Sequence, residues 1–206
     1  MAKFKSSVLG SVKGSIGNVV FSRWKKSIVV KEKNQDERTN FSEKQLLVQS
    51  KFRLIASYAK TLRPVIKLGF RGLTAEKTEF NIFIEENFQY ITGDVLNLEM
   101  NFSKLILSKG VLEQMTQINV TKGTETIKLD WNPNSSGQKT DSVTVVVLEP
   151  SSKQIVMDRN STRETGTTEI TFPQNWNGKE VHLFSFASDS FGNNSNNSYL
   201  GKVNLT

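Results

Sequence analysis

The sequence predicts an α+β chain: a glycine-rich β-arm, then a helical hairpin, then a β-sandwich. Three observations carry this. Residues 1–33 combine Val, Ile and Phe runs with turn glycines. Apolar residues then recur at helical spacing from Phe41 to Ile91. From about residue 95, short alternating runs return every 8–12 residues between turn clusters. The change of texture near residue 95 divides the chain into two predicted regions, 1–94 and 95–206.

In the arm, Phe4 to Val12, Ile16 to Arg23 and Lys26 to Lys33 read as strands, with Gly10, Gly14, Gly17 and Asn18 supplying turns. So few large residues close no core alone, so the arm is expected to pack on its own helices, the sandwich or another subunit. The polar run 34–40 reads as a loop. Asn40 with Glu43 matches a capping box, and Phe41 to about Leu62 reads as a helix. Leu47, Leu54, Ile55, Tyr58 and Leu62 form its apolar stripe. Pro64 lacks an amide hydrogen, so the helix is expected to kink or restart there and to end by Gly69 or Gly72. Thr74 is the expected cap of a second helix, striped by Phe80, Phe83, Ile84 and Phe88 and ended by Gly93. Eight strands follow: 104–108, 118–121, 126–131, 142–148, 154–158, 167–172, 180–187 and 199–205.

Composition removes several function classes. The 206 residues contain no cysteine and one histidine, His182. Disulfides, thiol catalysis and Cys- or His-rich metal sites are excluded, and no cofactor is expected. No apolar stretch is long enough for a membrane helix, and the first residues lack the apolar core of a secretory signal. A cytoplasmic or virion-associated setting is the expectation. The net charge of +7 is uneven: residues 1–72 carry +12 and residues 73–206 carry −5. The basic part suits an acidic protein surface, the acidic half of a neighbouring copy, or nucleic acid.

Two resemblances add to this. Lys128-Leu129-Asp130-Trp131 resembles the second strand of a fibronectin type III or immunoglobulin-like module, whose Trp packs between the sheets. Val181 to Ala187, Ser190-Phe191-Gly192 and Asn197-Ser198 resemble its sixth strand, the following turn and its last strand. The Tyr expected in that sixth strand is absent, with Leu183 or Phe184 near its place. The whole chain also resembles a domain family of unknown function, common in Bacteroidota and their mobile elements. The residues that carry this are Gly14 to Val20, Trp24, Arg38 to Asn40, Gln49 to Phe52, Arg63-Pro64 to Gly69-Phe70 and Phe80-Asn81. Trp131, Val181 to Phe186 and Ser198 to Gly201 complete the match. The Pro of that family's loop before the helix is replaced here, where the chain reads Asp36-Glu37-Arg38-Thr39. Similar loops recur in phage proteins, so the resemblance implies a virion or assembly role.

The candidate contact residues are Arg23, Trp24, Lys25, Lys26, Arg53, Lys60, Arg63 and Lys67. Arg53, Lys60 and Lys67 lie seven apart, close to two helical turns, and so share a face until Pro64. That face suits solvent, a protein surface or phosphates. Trp24 among Arg23, Lys25 and Lys26 can stack on a base or pack beneath the arm while the lysines snorkel. The glycines from Gly10 to Gly17 are not a phosphate loop, because Lys13 precedes Gly14 and no helix pattern follows. Nothing orients His182 as a base, and Glu76, Glu79, Glu85 and Glu86 read as a solvated helix face. The run 193–198, rich in Asn and Ser, reads as a solvated loop at one end of the sandwich.

The expected function is therefore non-enzymatic. It is a structural or assembly protein of a phage particle or mobile element, which docks through its basic region and presents the sandwich. Protein partners or self-association are expected, with no membrane partner. The alternative is sequence-independent nucleic-acid binding through residues 1–72. Convergence of the basic residues on one concave surface would favour it.

Overall fold

The structure is a computed structural model. It describes residues 2–4, 13–24, 27–33, 40–73, 77–133 and 137–205. Two compact units divide the chain, Met1–Ser42 and Glu43–Thr206. The predicted division at 94/95 thus moves to the start of the first helix, and the helices belong with the sandwich.

The first unit is an antiparallel sheet of β1 (Ala2–Phe4), β2 (Gly14–Ile16), β3 (Val19–Trp24) and β4 (Ser27–Glu32), in the order β1-β4-β3-β2. A tight turn at Gly17-Asn18 joins β2 to β3, and β3 pairs antiparallel with β4. The part of the predicted first strand from residue 5 to 12 lies outside the described residues.

The second unit begins with α1 (Glu43–Thr61) and α2 (Arg63–Gly69), and the break between them falls at Leu62, which puts Pro64 in the first turn of α2, where the missing amide hydrogen is tolerated. α1 starts at Glu43, the second residue of the predicted Asn40/Glu43 pair. The cap of α3 (Glu79–Asn87) is Thr78, whose hydroxyl accepts from the Asn81 amide at 3.3 Å. Thr74 and Glu76 lie outside the described residues.

Gly93 does not end a helix. It lies in a hairpin that the sequence reading missed, of β5 (Ile91–Asp94) and β6 (Asn97–Met100). Gly93 has φ +96°, and a Cβ there would stand 1.9 Å from the Asn97 carbonyl oxygen, so only glycine fits.

The predicted strand at 104–108 is also absent. A 3₁₀ turn at Phe102–Lys104 leads into an extended strap that bonds to side chains instead of a neighbouring strand. The Ile106 amide donates to Asn87 Oδ1 at 2.7 Å, and the Leu107 amide donates to Asn197 Oδ1 at 2.8 Å. Leu105 and Leu107 are buried by this strap.

The remaining strands follow the sequence prediction to within a few residues. They are β7 (Asn119–Lys122), β8 (Thr126–Asp130), β9 (Ser142–Glu149), β10 (Gln154–Thr162), β11 (Thr167–Thr171), β12 (Glu180–Ser188) and β13 (Ser198–Asn204). Two antiparallel sheets result, β10-β9-β12-β13 and β11-β8-β7. They form a sandwich of the fibronectin and immunoglobulin kind.

Side-chain alternation on β9 and β12 separates two cores. Val143, Val145, Val147, Leu183 and Ala187 face the three-stranded sheet and pack with Ile127, Leu129, Ile170 and Trp131. Val146, Leu148, Phe184 and Phe186 face the other way and pack with Ile55, Leu62, Val65, Phe70 and Phe83 from the helices. The helices therefore form a third layer over the four-stranded sheet. Trp131 takes its expected place between the sheets, and its indole N–H donates to the Arg163 carbonyl at 2.9 Å. Trp176, at the end of a 3₁₀ turn at Gln174–Trp176, is fully buried and donates to Gln154 Oε1 at 2.9 Å.

Candidate docking groove

Lys60 stands in the last turn of α1, and Arg63 and Lys67 at the start and end of α2. All three are exposed, while Ile55, Leu62 and Val65 of α1, α2 and the link between them are buried in the core. Along one side they line a groove of about 650 Å³. Its other wall is the start of α3, with Thr78, Glu79 and Phe80. Ala56, Ala59 and Ile66 supply the apolar floor. Phe80 remains 39% exposed, at the groove rather than in the core. The site is thus an apolar trough with three cations and one carboxylate, Glu79, on its walls.

Three of the eight predicted contact residues, Lys60, Arg63 and Lys67, therefore meet in one concave surface. Arg53 is exposed on α1 outside the groove lining. Arg23 is exposed on β3 in the other unit. Trp24 ends β3, its side chain lies outside the described set, and Lys25 and Lys26 lie outside the described residues. Sequence reasoning missed Phe80 as a groove residue, because its place in the apolar stripe of α3 read as core. Its neighbours Ile82 and Phe83 are the buried ones.

The other chemistry-bearing residues are tied into the fold. His182 is buried on β12. Its Nδ1 lies 2.9 Å from the Tyr199 hydroxyl, its Nε2 3.6 Å from Glu180, and its ring against Phe102 at a centroid distance of 4.4 Å. Burial pushes its pKa below the usual histidine range, Glu180 opposes this and Lys202 adds to it. Glu85 pairs with Lys77 at 2.6 Å and Glu86 with Lys109 at 2.7 Å, so these carboxylates are bound by lysines rather than paired with each other.

Glu149, at the end of β9, is a buried carboxylate. Burial raises its pKa, but the hydroxyls and amides of Ser151 and Ser152 outweigh that and hold it at about 2. Lys179 adds a contact at 3.2 Å. Among the described residues no group of His, Asp and Glu is arranged to hold a metal ion, and no helix is long and apolar enough to cross a membrane.

The run 193–198 is a correction. Asn194 and Ser195 are buried. Asn194 Nδ2 donates to the Leu68 and Gly69 carbonyls at 2.8 and 3.2 Å, and its Oδ1 accepts from the Ser188 hydroxyl at 2.6 Å. Asn197 receives the strap amides of Leu107 and Ser108 and returns a bond to the Leu105 carbonyl at 3.0 Å. The side chains join the β12–β13 loop to α2 and to the strap. Their polarity satisfies buried backbone groups rather than solvent.

The family model of DUF6266, a family of unknown function, matches residues 11–201. The chain belongs to DUF6266. No curated protein matches this DUF6266 chain. Among solved structures it is similar to the FN1–FN3 domains of chicken CNTN1, with 12% identity over 48% of this chain and a TM-score of 0.36. The match spans 33% of that chicken chain, about a third of its length. The FN5 domain of Drosophila Lar gives 11% identity over 46% of this chain and 97% of that one, with a TM-score of 0.36. The fn3 domain of the human collagen alpha-1(XX) chain gives 7% identity over 46% of this chain and 86% of that one, with a TM-score of 0.34. The sandwich of this DUF6266 member rests on its own strand order.

Proposed function

We propose that the chain is a non-enzymatic assembly protein that docks through its basic regions and presents a β-sandwich. The observation that carries this reading is the arm sheet. Among its described side chains Val29 is the one buried residue, and Ile16 is 70% exposed. A sheet whose described side chains bury so little takes, in this reading, its apolar cover and its edge partners from another chain. The groove of Lys60, Arg63 and Lys67 adds a place for an acidic, partly apolar surface. The Bacteroidota and mobile-element setting is supported by the resemblance of the whole chain, and the phage setting by that of the loop before the first helix.

The test is the mass of the purified chain in solution by light scattering, at low and at high salt, beside a duplex DNA titration. The expected result is a defined oligomer that persists in high salt, since apolar burial is not screened. A monomer at both salts that binds DNA, with affinity falling steeply as salt rises, would overturn the reading in favour of nucleic-acid binding.

A further inference from the structure

Phe191 is 90% exposed at the tip of the turn between β12 and β13, and Val111, on the adjacent loop, is 88% exposed. An exposed aromatic on a mobile loop would mean little. This turn is instead held rigidly. Asp189 Oδ1 accepts from the Asn193 amide at 2.8 Å and Oδ2 from its side-chain amide at 2.7 Å. The Asp189 amide donates to the Asn193 carbonyl at 3.0 Å, and the Gly192 amide donates to the Asp189 carbonyl at 3.3 Å. Below the turn, buried Asn194 is bonded to the end of α2, and Leu112 bonds back to the Asn194 carbonyl at 3.0 Å. Gly110 passes so close that a Cβ there would lie 2.0 Å from the Asn194 oxygen. Phe191 is therefore an apolar side chain on a fixed pedestal that binding need not order, the property of an interface anchor.

We infer that Phe191 of one copy seats in the groove lined by Lys60, Arg63, Lys67 and Phe80 of a second copy. The inference rests on the assembly reading above and names the contact. Three features of the chain favour this occupant. The groove has an apolar floor and an exposed aromatic wall, Phe80, for the ring. Its three cations match Asp189, which the hydrogen bonds of Asn193 hold in the ionised form at the base of the tip. Its one acid, Glu79, matches Arg71, which lies beside Gly192 at the tip. The two surfaces are different patches of the same chain, so the contact joins unlike faces and can propagate into rings or filaments.

The test uses two variants of the full chain, Phe191→Ser and the double change Lys60→Glu with Arg63→Glu. All three positions are exposed, so the melting temperatures should match that of the wild type. Each variant alone should self-associate roughly ten-fold or more weakly than the wild type by sedimentation. Mixed, they should bind each other more tightly than either binds itself, because one supplies an intact groove and the other an intact tip. Unchanged self-association of both variants would overturn the inference while leaving assembly through the arm standing. A wild type that is monomeric throughout would overturn both. Binding of the wild type, but not of Phe191→Ser, to phosphatidylcholine vesicles with unchanged mass would overturn it by assigning the tip to a lipid surface.

Discussion

The chain contains two four-stranded antiparallel sheets with opposite surroundings. In the arm sheet the described side chains of β3 are partly or fully exposed, and among the described side chains of β4 Val29 alone is buried. In the sandwich sheet β9 and β12 are buried along almost their whole length and on both faces. The backbone pairing is of the same kind, so hydrogen bonding does not distinguish them. Cover does. The three-stranded sheet closes one face of β9 and β12, and α1, α2 and α3 close the other. The contrast teaches that a sheet's stability resides in what lies on its faces.

Substitutions can sharpen that contrast. The largest effect is expected for Phe184→Ala on β12, which leaves a cavity between sheet and helices. It should cost about 3–5 kcal/mol in chemical denaturation. A loss below about 1 kcal/mol would mean that the helices do not cover this face in solution.

Next is Glu149. Its folded pKa, at about 2, lies below the ordinary value of 4.5, so its contribution is present above pH 4.5 and is lost as the pH falls towards 2. The full effect is on the order of 3 kcal/mol. Glu149→Gln should flatten the acid-unfolding curve in that window, and an unchanged curve would contradict the serine cage.

Asn194→Ala removes the bonds between the β12–β13 loop and α2 and leaves the Leu68 and Gly69 carbonyls without that partner. About 1–3 kcal/mol should be lost, with increased hydrogen exchange at the strap and the end of α2. Thr144 carries a buried hydroxyl without a hydrogen-bond partner among the described residues. Thr144→Val should raise stability by up to about 1 kcal/mol, seen as a higher melting temperature. The smallest effect is expected in the arm: Ile16→Ser, on an exposed edge strand, should alter melting of the chain by no more than about 0.5 kcal/mol. It should nonetheless reduce the high-salt oligomer seen by light scattering.

Much of this architecture was legible because local patterning carries it. The stripe through Ile55, Tyr58 and Leu62 located α1, Pro64 located the restart, and alternation located β8, β9, β11 and β12. The 91–100 hairpin was not legible, because Gly93 also suits a helix end and its positive φ is invisible in the sequence. The strap at 105–108 has the apolar content of a strand, but its amides are taken by Asn87 and Asn197, far away along the chain. For the groove, the basic side was readable from the helical spacing of Lys60 and Lys67. Phe80 and Glu79 joined it only through the packing of α3 against α1 and α2.

The sequence by itself determined the helices, most of the sandwich strands, the charge asymmetry and the want of thiol chemistry, since each follows from residue type and short-range periodicity. The tertiary structure alone decided that the helices cover the sandwich, that Asn194 and Asn197 are buried joints, and that Phe191 stands free on a rigid turn. A side chain's exposure, and the partner that satisfies its polar atoms, depend on segments distant in the chain, and no local pattern encodes them.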